Sequence, residues 1–194
     1  MKILIFNGGP HNGNTWRLTQ AAKKYMKQID NTIKFYEILL SEIDLPFCTG
    51  CSNCFRKGHK TCPHHDKMQP IINMIEECDA VIFSVPCFQG HLPGIMKNFT
   101  DHMAFMLHRP RYFRKKALII STTGGISADS TTKALAATLP GWGFLSAIIT
   151  YIYRIICNFA PPNIGRRKRF FNVFWSYACK IEEEQVWQYK CYSC

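Results

Sequence analysis

Four cysteines in one short stretch are the feature of this sequence with the clearest chemical meaning. They stand as C-x2-C-x2-C-x7-C, within a cysteine-rich loop at about residues 46–66: Cys48, Cys51, Cys54 and Cys62. Closely spaced thiolates can surround a compact cluster, and C-x2-C-x2-C is a ferredoxin-type ligand run for a [4Fe–4S] cluster. Zinc is an alternative occupant, held by all four cysteines or by three of them with His59, His64 or His65. A third interpretation is a loop of free thiols without metal.

A glycine-rich loop near the amino terminus has the composition of a phosphate site. It reads GGPHNGNT (8–15) and comes immediately before a predicted helix. The first N–H groups of a helix and its dipole favour an anion, and the side chains of Asn14 and Thr15 can donate. The loop matches neither G-x-G-x-x-G nor the lysine-containing phosphate loop, so a dinucleotide fingerprint and an ATPase are unsupported. The alternative is an ordinary strand–helix turn in which Asn14 or Thr15 caps the helix.

Two further loops, 84–94 and 121–125, have residues suited to a flat heteroaromatic ring. Such a ring needs an apolar or aromatic wall and backbone amides near its edge. Phe88 can supply the wall. Polar backbone near the ring edge can come from Gln89, Gly90, Thr123 and Gly124.

The elements that position these loops alternate between strands and helices. Short apolar runs predict five strands, at 2–6, 32–39, 80–85, 116–122 and 146–153. Helical spacing predicts helices from Thr15, around 68–78, from Pro93, at 131–139 and at 166–188. This alternation indicates one α/β domain over 1–194, a doubly wound five-stranded parallel sheet with helices on both faces. The three loops then lie at one edge of the sheet, where such folds bind ligands.

Composition narrows the class of protein. The chain has ten cysteines and no export signal at its start, so we expect a reducing, cytoplasmic location. The apolar stretch 142–164 contains Arg154 and two prolines, which favours a strand and loop over a transmembrane span. The net charge of +11 comes partly from the basic runs 109–116 and 166–169. We interpret these runs as solvated surface, with attraction of phosphorylated ligands as the alternative; no nucleic-acid motif accompanies them.

The three loops resemble those of the flavodoxin-like NAD(P)H-dependent FMN reductase family in order and spacing. In that family the first loop commonly reads G-S-P-R-x-x-S/G-N-T and holds the FMN phosphate. Here Gly9 and His11 replace the serine and arginine, whereas Asn14, Thr15 and the amide of Trp16 match. The resemblance therefore implies that all five of these residues face the phosphate.

The second loop resembles the family pattern P-x-Y/F-x-x-x-x-P-G-x-x-K-x-F-x-D. The matching residues are Pro86, Phe88, Pro93, Gly94, Lys97, Phe99 and Asp101. The resemblance implies that one segment lies beside the isoalloxazine: Pro86, Cys87, Phe88, Gln89 and Gly90. It implies that a second segment lies along the flavin: Thr122, Thr123, Gly124 and Gly125. Residues 97–101 would support the fold or a subunit contact.

The resemblance implies an FMN-dependent oxidoreductase that takes electrons from NAD(P)H. Its acceptor would be a quinone, a nitro or azo compound, free flavin or another protein, and it would form a homodimer or homotetramer. Because the flavin carries the chemistry, no catalytic acid–base pair is expected. The cysteine segment also resembles that of iron–sulfur flavoproteins of the same fold. That resemblance implies an alternative, an electron-transfer protein with FMN and a [4Fe–4S] cluster that accepts electrons from ferredoxin.

The last alternative is a zinc-stabilised binding module that has lost FMN. Of the remaining cysteines, Cys78 and Cys157 are predicted to be core residues. The terminal pair Cys191 and Cys194 is interpreted as a loose tail.

Overall fold

The structure is a computed structural model that describes residues 1–125, 128–144 and, for the backbone, 146–153. The chain separates into two units, and the described residues all belong to the first, Met1–Ile156. The predicted helix at 166–188, the cysteines at 157, 191 and 194, and the basic run 166–169 lie outside the described residues. A single domain over 1–194 stays a prediction.

The described residues form the α/β fold with a parallel sheet that the sequence predicts. The strands are β1 (Lys2–Asn7), β2 (Lys34–Leu39), β3 (Ala80–Ser84), β4 (Lys116–Thr123) and β5 (Ser146–Tyr153). They pair in parallel in the order β2-β1-β3-β4-β5. This is the flavodoxin-like order, in which the topological switch point lies between β1 and β3. A ligand cleft is therefore expected beyond the carboxyl ends of these two strands.

Helices connect the strands. They are α1 (Asn14–Ile29), the short α2 (Asn53–Arg56), α3 (His65–Glu77), α4 (Gly94–His102) and α5 (Ala128–Trp142). Single 3₁₀ turns occupy Leu40–Glu42, His59–Thr61 and Ala104–Leu107. No helix among the described residues is both long enough and apolar enough to cross a bilayer.

The core lies on both faces of the central strands. Leu4, Ile5 and Phe6 of β1 have no exposed surface, although successive residues point to opposite faces. The Phe6 ring is stacked on Phe83 of β3, with ring centroids 5.4 Å apart. Helices on both faces explain why these strands are continuous apolar runs in the sequence. Cys78 is buried, which confirms its prediction as a core residue.

The start of α1 differs from its prediction. Gly13 occupies the cap position and no side chain caps the helix, so the assignment of that role to Asn14 or Thr15 was wrong. The Thr15 hydroxyl instead lies 2.6 Å from the Thr122 hydroxyl of β4. A hydroxyl turned inward to a strand cannot also reach the amides of its own first turn. The Gly13 N–H donates to the His11 carbonyl at 2.9 Å, whereas residues 14–16 leave their N–H groups facing outward at the edge of the sheet.

Candidate functional site

An open cavity of about 540 Å³ lies at the carboxyl edge of the sheet. The loops that follow β1, β3 and β4 all contribute to its walls. The lining residues are Asn7, Gly9, Pro10, His11, Gly13, Asn14, Thr15, Trp16, Pro86, Cys87, Phe88, Thr122 and Gly124.

Most residues predicted to bind a flavin line this one cavity. The lining includes the predicted Gly9, His11, Asn14, Thr15, Trp16, Pro86, Cys87, Phe88, Thr122 and Gly124. It does not include the predicted Gln89, Gly90, Thr123 and Gly125. Thr123 is buried and its Oγ1 accepts from the Gly125 N–H at 3.1 Å, so this pair shapes the exit from β4. Flavin contacts of all fourteen residues stay predictions.

Asn7 organises the first loop. Its side chain is 1% exposed, and its Oδ1 accepts from the Gly9 N–H at 3.0 Å. Its Nδ2 donates to Asn12 Oδ1 at 2.9 Å. The Gly8 N–H donates to the Ser84 carbonyl at 2.8 Å and so holds the loop against β3. The sequence analysis missed Asn7 as a lining residue; its signal was an amide side chain at the end of an apolar strand.

Gly9 is a position where the cavity wall leaves little room. A Cβ atom there would lie 3.2 Å from Pro86 Cγ and 3.3 Å from Asn7 Oδ1. These contacts are tighter than ordinary van der Waals separations. A side chain larger than a methyl group at this position must displace the loop or occupy the cavity.

The amino end of α1 lies at one end of the cavity and has the properties of an anion site. The first N–H groups of a helix have no acceptor within the helix, and the dipole places positive potential there. No acidic residue occurs in the first turn of α1. Asn14, Thr15 and Trp16 lie at this end and all line the cavity. Such an arrangement suits a phosphate monoester.

Hydroxyl groups join α1 to the strands below the cavity. The contact between Thr15 and Thr122 joins α1 to β4. Thr19 is fully buried, and its Oγ1 lies 2.9 Å from both the Thr15 carbonyl and the Ser84 hydroxyl of β3. Two hydroxyl contacts, one to β4 and one to β3, therefore hold the helix end in place.

The loop after β3 places an aromatic ring at the open side of the cavity. Phe88 and His91 exchange two backbone hydrogen bonds, of 3.0 and 2.9 Å. Gln89 and Gly90 between them have φ values of +50° and +75°, the signs of a type I′ turn. This turn occupies the predicted ring-edge residues and leaves Phe88 43% exposed. His91 is exposed and is not among the lining residues.

The cysteine segment (46–66) contains α2, one 3₁₀ turn and the first two residues of α3. Cys48 and Cys51 are exposed, Cys54 and Cys62 are half-buried, and all four are free thiols. Burial raises the pKa of the Cys54 thiol, and the neighbouring Cys62 and Cys48 raise it further. Three of the predicted ligands therefore interact electrostatically.

Asn98 of α4 fixes the beginning of the cysteine segment. Its Nδ2 donates to the carbonyl oxygens of Leu45 and Pro46, at 3.0 and 3.2 Å. Its Oδ1 accepts from the Cys48 N–H at 3.1 Å. The side chain is 7% exposed. We call these three hydrogen bonds of Asn98 the clamp between α4 and the cysteine segment. No local sequence pattern predicts the clamp, because the partners of Asn98 lie some 50 residues earlier in the chain.

Cys62 is grouped with two histidines. The ligand atoms of Cys62, His64 and His102 all lie within 4.8 Å of one another. Within the described part of the chain, no three of the four predicted cysteine ligands form such a group. A separation of 4.8 Å or less applies to ligands of a single metal ion. In a [4Fe–4S] cluster each thiolate binds a different iron, so the sulfur atoms lie farther apart. The prediction of four cysteine ligands therefore stays untested. His102, on α4, was missed by the sequence analysis.

Comparisons with known proteins identify the family of this chain. A family model described as NADPH-dependent FMN reductase matches residues 1–149. An iron-sulfur flavoprotein of Clostridioides difficile is 33% identical over 146 residues, which is 73% of this chain and 64% of that protein. An iron-sulfur flavoprotein of Archaeoglobus fulgidus is 28% identical over 168 residues, 85% of this chain and 72% of that protein. The chain thus spans less than two thirds of the Clostridioides relative.

A solved structure of another protein is similar to this chain in fold. The NAD(P)H:quinone oxidoreductase from Methanothermobacter marburgensis has a TM-score of 0.67 at 13% identity. The superposition covers 96% of this chain and 99% of that one, and at such low identity it bears on the fold alone. With residues 1–149 matched by the family model, the chain belongs to the NADPH-dependent FMN reductase family, an oxidoreductase family with a flavodoxin-like α/β fold.

Proposed function

We propose that this protein is an FMN-dependent oxidoreductase that passes electrons from NAD(P)H to a second acceptor. The observation that carries the proposal is the cavity at the carboxyl edge of the sheet. Its walls come from the loops after β1, β3 and β4, and one end of it is the amino terminus of α1. Family membership supports the same conclusion.

FMN has chemical groups that match the two ends of the cavity. Its phosphate suits the outward N–H groups of Asn14, Thr15 and Trp16, where the dipole of α1 favours negative charge. The absence of a side chain at Gly9 keeps space between the first loop and Pro86. Once bound, FMN would supply the hydride and electron transfer that no side chain of the chain can perform.

The residues beside the ring would orient it and not react with it. The Cys87 N–H already donates to the Thr122 carbonyl at 2.9 Å, and the Phe88 N–H donates to His91. These two residues would therefore act as walls. Of the residues predicted at the ring edge, Gly124 lines the cavity, so polar contact with the ring edge would come from its amide. The Phe88 ring, at the open side, would border the place where the nicotinamide and the acceptor bind in turn.

The charge of the chain favours a phosphorylated electron donor. A net charge of +11 attracts anionic nucleotides over distances up to the Debye length. Part of the basic run 109–116 has a structural role: Arg111 pairs with Glu76 at 3.3 Å, and Lys115 donates to the carbonyls of Glu76 and Cys78. The long-range attraction would thus come from the whole basic surface and not from a specific contact.

The acceptor would be a quinone, a nitro or azo compound, free flavin or a protein. A homodimer or homotetramer would complete the open side of the cavity. Lys97 and Asp101 form an exposed ion pair on α4 and would be available for such a contact.

The test is reduction of FMN by nicotinamide under anaerobic conditions. The full chain is loaded with FMN, mixed with NADH or NADPH, and its visible flavin absorption is followed before quinone, azo and nitro compounds are added. The proposal predicts bleaching by one of the nucleotides and recovery of the absorption with an acceptor. FMN that stays bound but is bleached by neither nucleotide would contradict a reductase.

A second candidate function rests on the names of the relatives, both iron-sulfur flavoproteins. In this function Cys48, Cys51, Cys54 and Cys62 would hold a [4Fe–4S] cluster, and electrons would come from a ferredoxin-like protein. The spacing of the four cysteines in one short segment supports a cluster there. About four irons and matching acid-labile sulfide per chain, with poor turnover of NAD(P)H, would favour it.

A further inference from the structure

The geometry points to a binding site for a single divalent transition-metal ion at Cys62, His64 and His102. Cys62 Sγ, His64 Nδ1 and His102 Nε2 would be its three protein ligands. The site differs from a four-cysteine centre in using two histidines, one of which comes from α4. It is independent of the proposed reductase function, because none of its residues lines the cavity.

The three ligand atoms are already near the spacing that one ion requires. All of them lie within 4.8 Å of one another, and His64 Nδ1 is 3.0 Å from His102 Nε2. With bonds of about 2.3 Å to sulfur and about 2.0–2.1 Å to nitrogen, two ligands of a tetrahedral zinc ion lie roughly 3–4 Å apart. The nitrogen pair, now joined by a hydrogen bond, is close to that separation, and the thiol lies within 4.8 Å of both nitrogens.

His102 is held in the tautomer that a metal ligand needs. Its side chain is 5% exposed, and Nδ1 lies 2.9 Å from the Asn98 carbonyl. A carbonyl oxygen can only accept, so Nδ1 carries the proton and the lone pair is on Nε2. Metal-bound histidines typically donate their other ring N–H to a carbonyl oxygen in this way, which fixes the ring. Asn98 also anchors Cys48, and so one residue joins α4 to the cysteine segment.

The donor set selects the class of metal. One thiolate and two neutral imidazoles suit Zn²⁺ and its borderline neighbours, and do not suit Mg²⁺ or Ca²⁺. In the structure His102 Nε2 accepts from the His64 Nδ1–H. Binding would therefore move the proton of His64 from Nδ1 to Nε2 and release the Cys62 thiol proton to solvent. Three protein ligands leave a fourth position for water. A [4Fe–4S] cluster would need Cys62 as well, so the two occupants exclude each other.

The test uses the full chain, reduced, freed of metal with a chelator, and titrated anaerobically with Co²⁺ and then Zn²⁺. We expect one Co²⁺ per chain, a thiolate-to-cobalt charge-transfer band, and displacement by Zn²⁺. Cys62→Ser, His64→Gln and His102→Gln should each weaken metal binding. The loss should exceed the roughly 10–100-fold that follows when a group hydrogen-bonded to a metal ligand is removed. The matched controls Cys51→Ser and His59→Gln should bind as the parent chain does.

Thermal unfolding with and without Zn²⁺ separates loss of the site from misfolding. Zn²⁺ should raise the Tm of the parent chain and of both controls, and should leave the Tm of folded His64→Gln unchanged. Three results would overturn the site. These are no Co²⁺ binding by the parent chain, binding that survives His64→Gln but is lost in Cys51→Ser, and purified protein whose metal is iron with acid-labile sulfide. None of the three bears on FMN binding.

Discussion

The cavity and the cysteine segment reach their geometry in different ways. The cavity is made where parallel strands end, and its donors are largely backbone N–H groups that the topology brings to one edge. The cysteine segment has no strand, and its regular structure is limited to the four-residue α2, one 3₁₀ turn and the first two residues of α3. Its arrangement depends on two side chains of α4, Asn98 and His102, that lie far away in the sequence. The geometry of the cavity is determined by the fold, because its donors are backbone groups. The geometry of the cysteine segment is determined by individual side-chain contacts.

The difference extends to charge. The amino end of α1 offers fixed partial charges that do not titrate. The cysteine segment contains thiols and imidazoles whose protonation depends on their neighbours, as the raised pKa of Cys54 and the lowered pKa of His59 illustrate. We therefore expect single substitutions to act on the cavity through shape and on the cysteine segment through hydrogen bonding and protonation.

The largest effect should come from filling the cavity wall. Gly9→Val places branched carbons where a Cβ alone would already lie 3.2 Å from Pro86. We expect the Kd for FMN to rise at least about 100-fold, or roughly 2.7 kcal/mol, measured by quenching of flavin fluorescence.

Gly94→Val is the matched control, because a Cβ at Gly94 meets nothing within 4 Å. It should bind FMN as the parent chain does. An unchanged Kd in Gly9→Val would show that FMN does not use this cavity.

The next largest effect should come from the clamp between α4 and the cysteine segment. Asn98→Ala removes three hydrogen bonds from a buried position, each contributing about 0.5–1.5 kcal/mol, so the free energy of unfolding should fall by roughly 2–3 kcal/mol. Urea unfolding measures the loss, and hydrogen exchange should show faster exchange at the Cys48 amide.

FMN affinity of Asn98→Ala should stay unchanged if the two regions are separate. The exposed Asn73, which bonds only Gln69 among the hydrogen bonds described, gives the control Asn73→Ala, with little loss of stability. A large drop in FMN affinity in Asn98→Ala would break the distinction between the two regions.

The sequence predicts the cavity far better than the cysteine segment, and the reason is physical. Buried parallel strands are continuous apolar runs, so β1, β3 and β4 and the loops that follow them could be placed from local pattern alone. Asn7 and Gly13 were missed because a residue at a strand end or helix cap has only a local polar signal. Asn98 and His102 lie within an ordinary amphipathic helix, and nothing in α4 by itself indicates their partners. The cap at α1 was mispredicted because the competing partner of Thr15, the hydroxyl of Thr122, is 107 residues away.

A smaller effect should come from the hydroxyl pair of α1 and β4. Thr15→Val and Thr122→Val each remove one partner of the 2.6 Å contact, and a double-mutant cycle isolates the interaction. We expect a coupling free energy of about 1 kcal/mol from urea unfolding. FMN affinity should fall in both single variants, because the helix end that faces the phosphate is less firmly held. A coupling near zero would mean that the two hydroxyls act independently.

The smallest effect concerns His59, which stacks on Phe105 with ring centroids 5.1 Å apart. Burial lowers the pKa of His59, and the neighbouring Arg111 guanidinium lowers it further. Below the ordinary pKa of 6.5 the unfolded chain therefore binds a proton that the folded chain does not. This part of the stability is present above pH 6.5 and is lost as the pH falls towards the folded pKa.

His59→Gln should remove this contribution to the pH dependence of the free energy of unfolding. The change should be less than about 1 kcal/mol, because the His59 ring is partly exposed to solvent, which screens its interactions. Urea unfolding of both proteins between pH 5 and pH 7.5 measures the difference. A parent chain that gains stability relative to His59→Gln as the pH falls would reverse the sign and contradict the assignment.

We propose above that the amino end of α1 holds the phosphate of FMN. Calorimetric titration of the full chain with FMN, and with riboflavin, which lacks the phosphate, tests it most directly. Two or more charge-assisted hydrogen bonds to the phosphate should make FMN bind at least about 100-fold more tightly than riboflavin. Equal affinity for the two ligands, or no binding of either, would contradict the account.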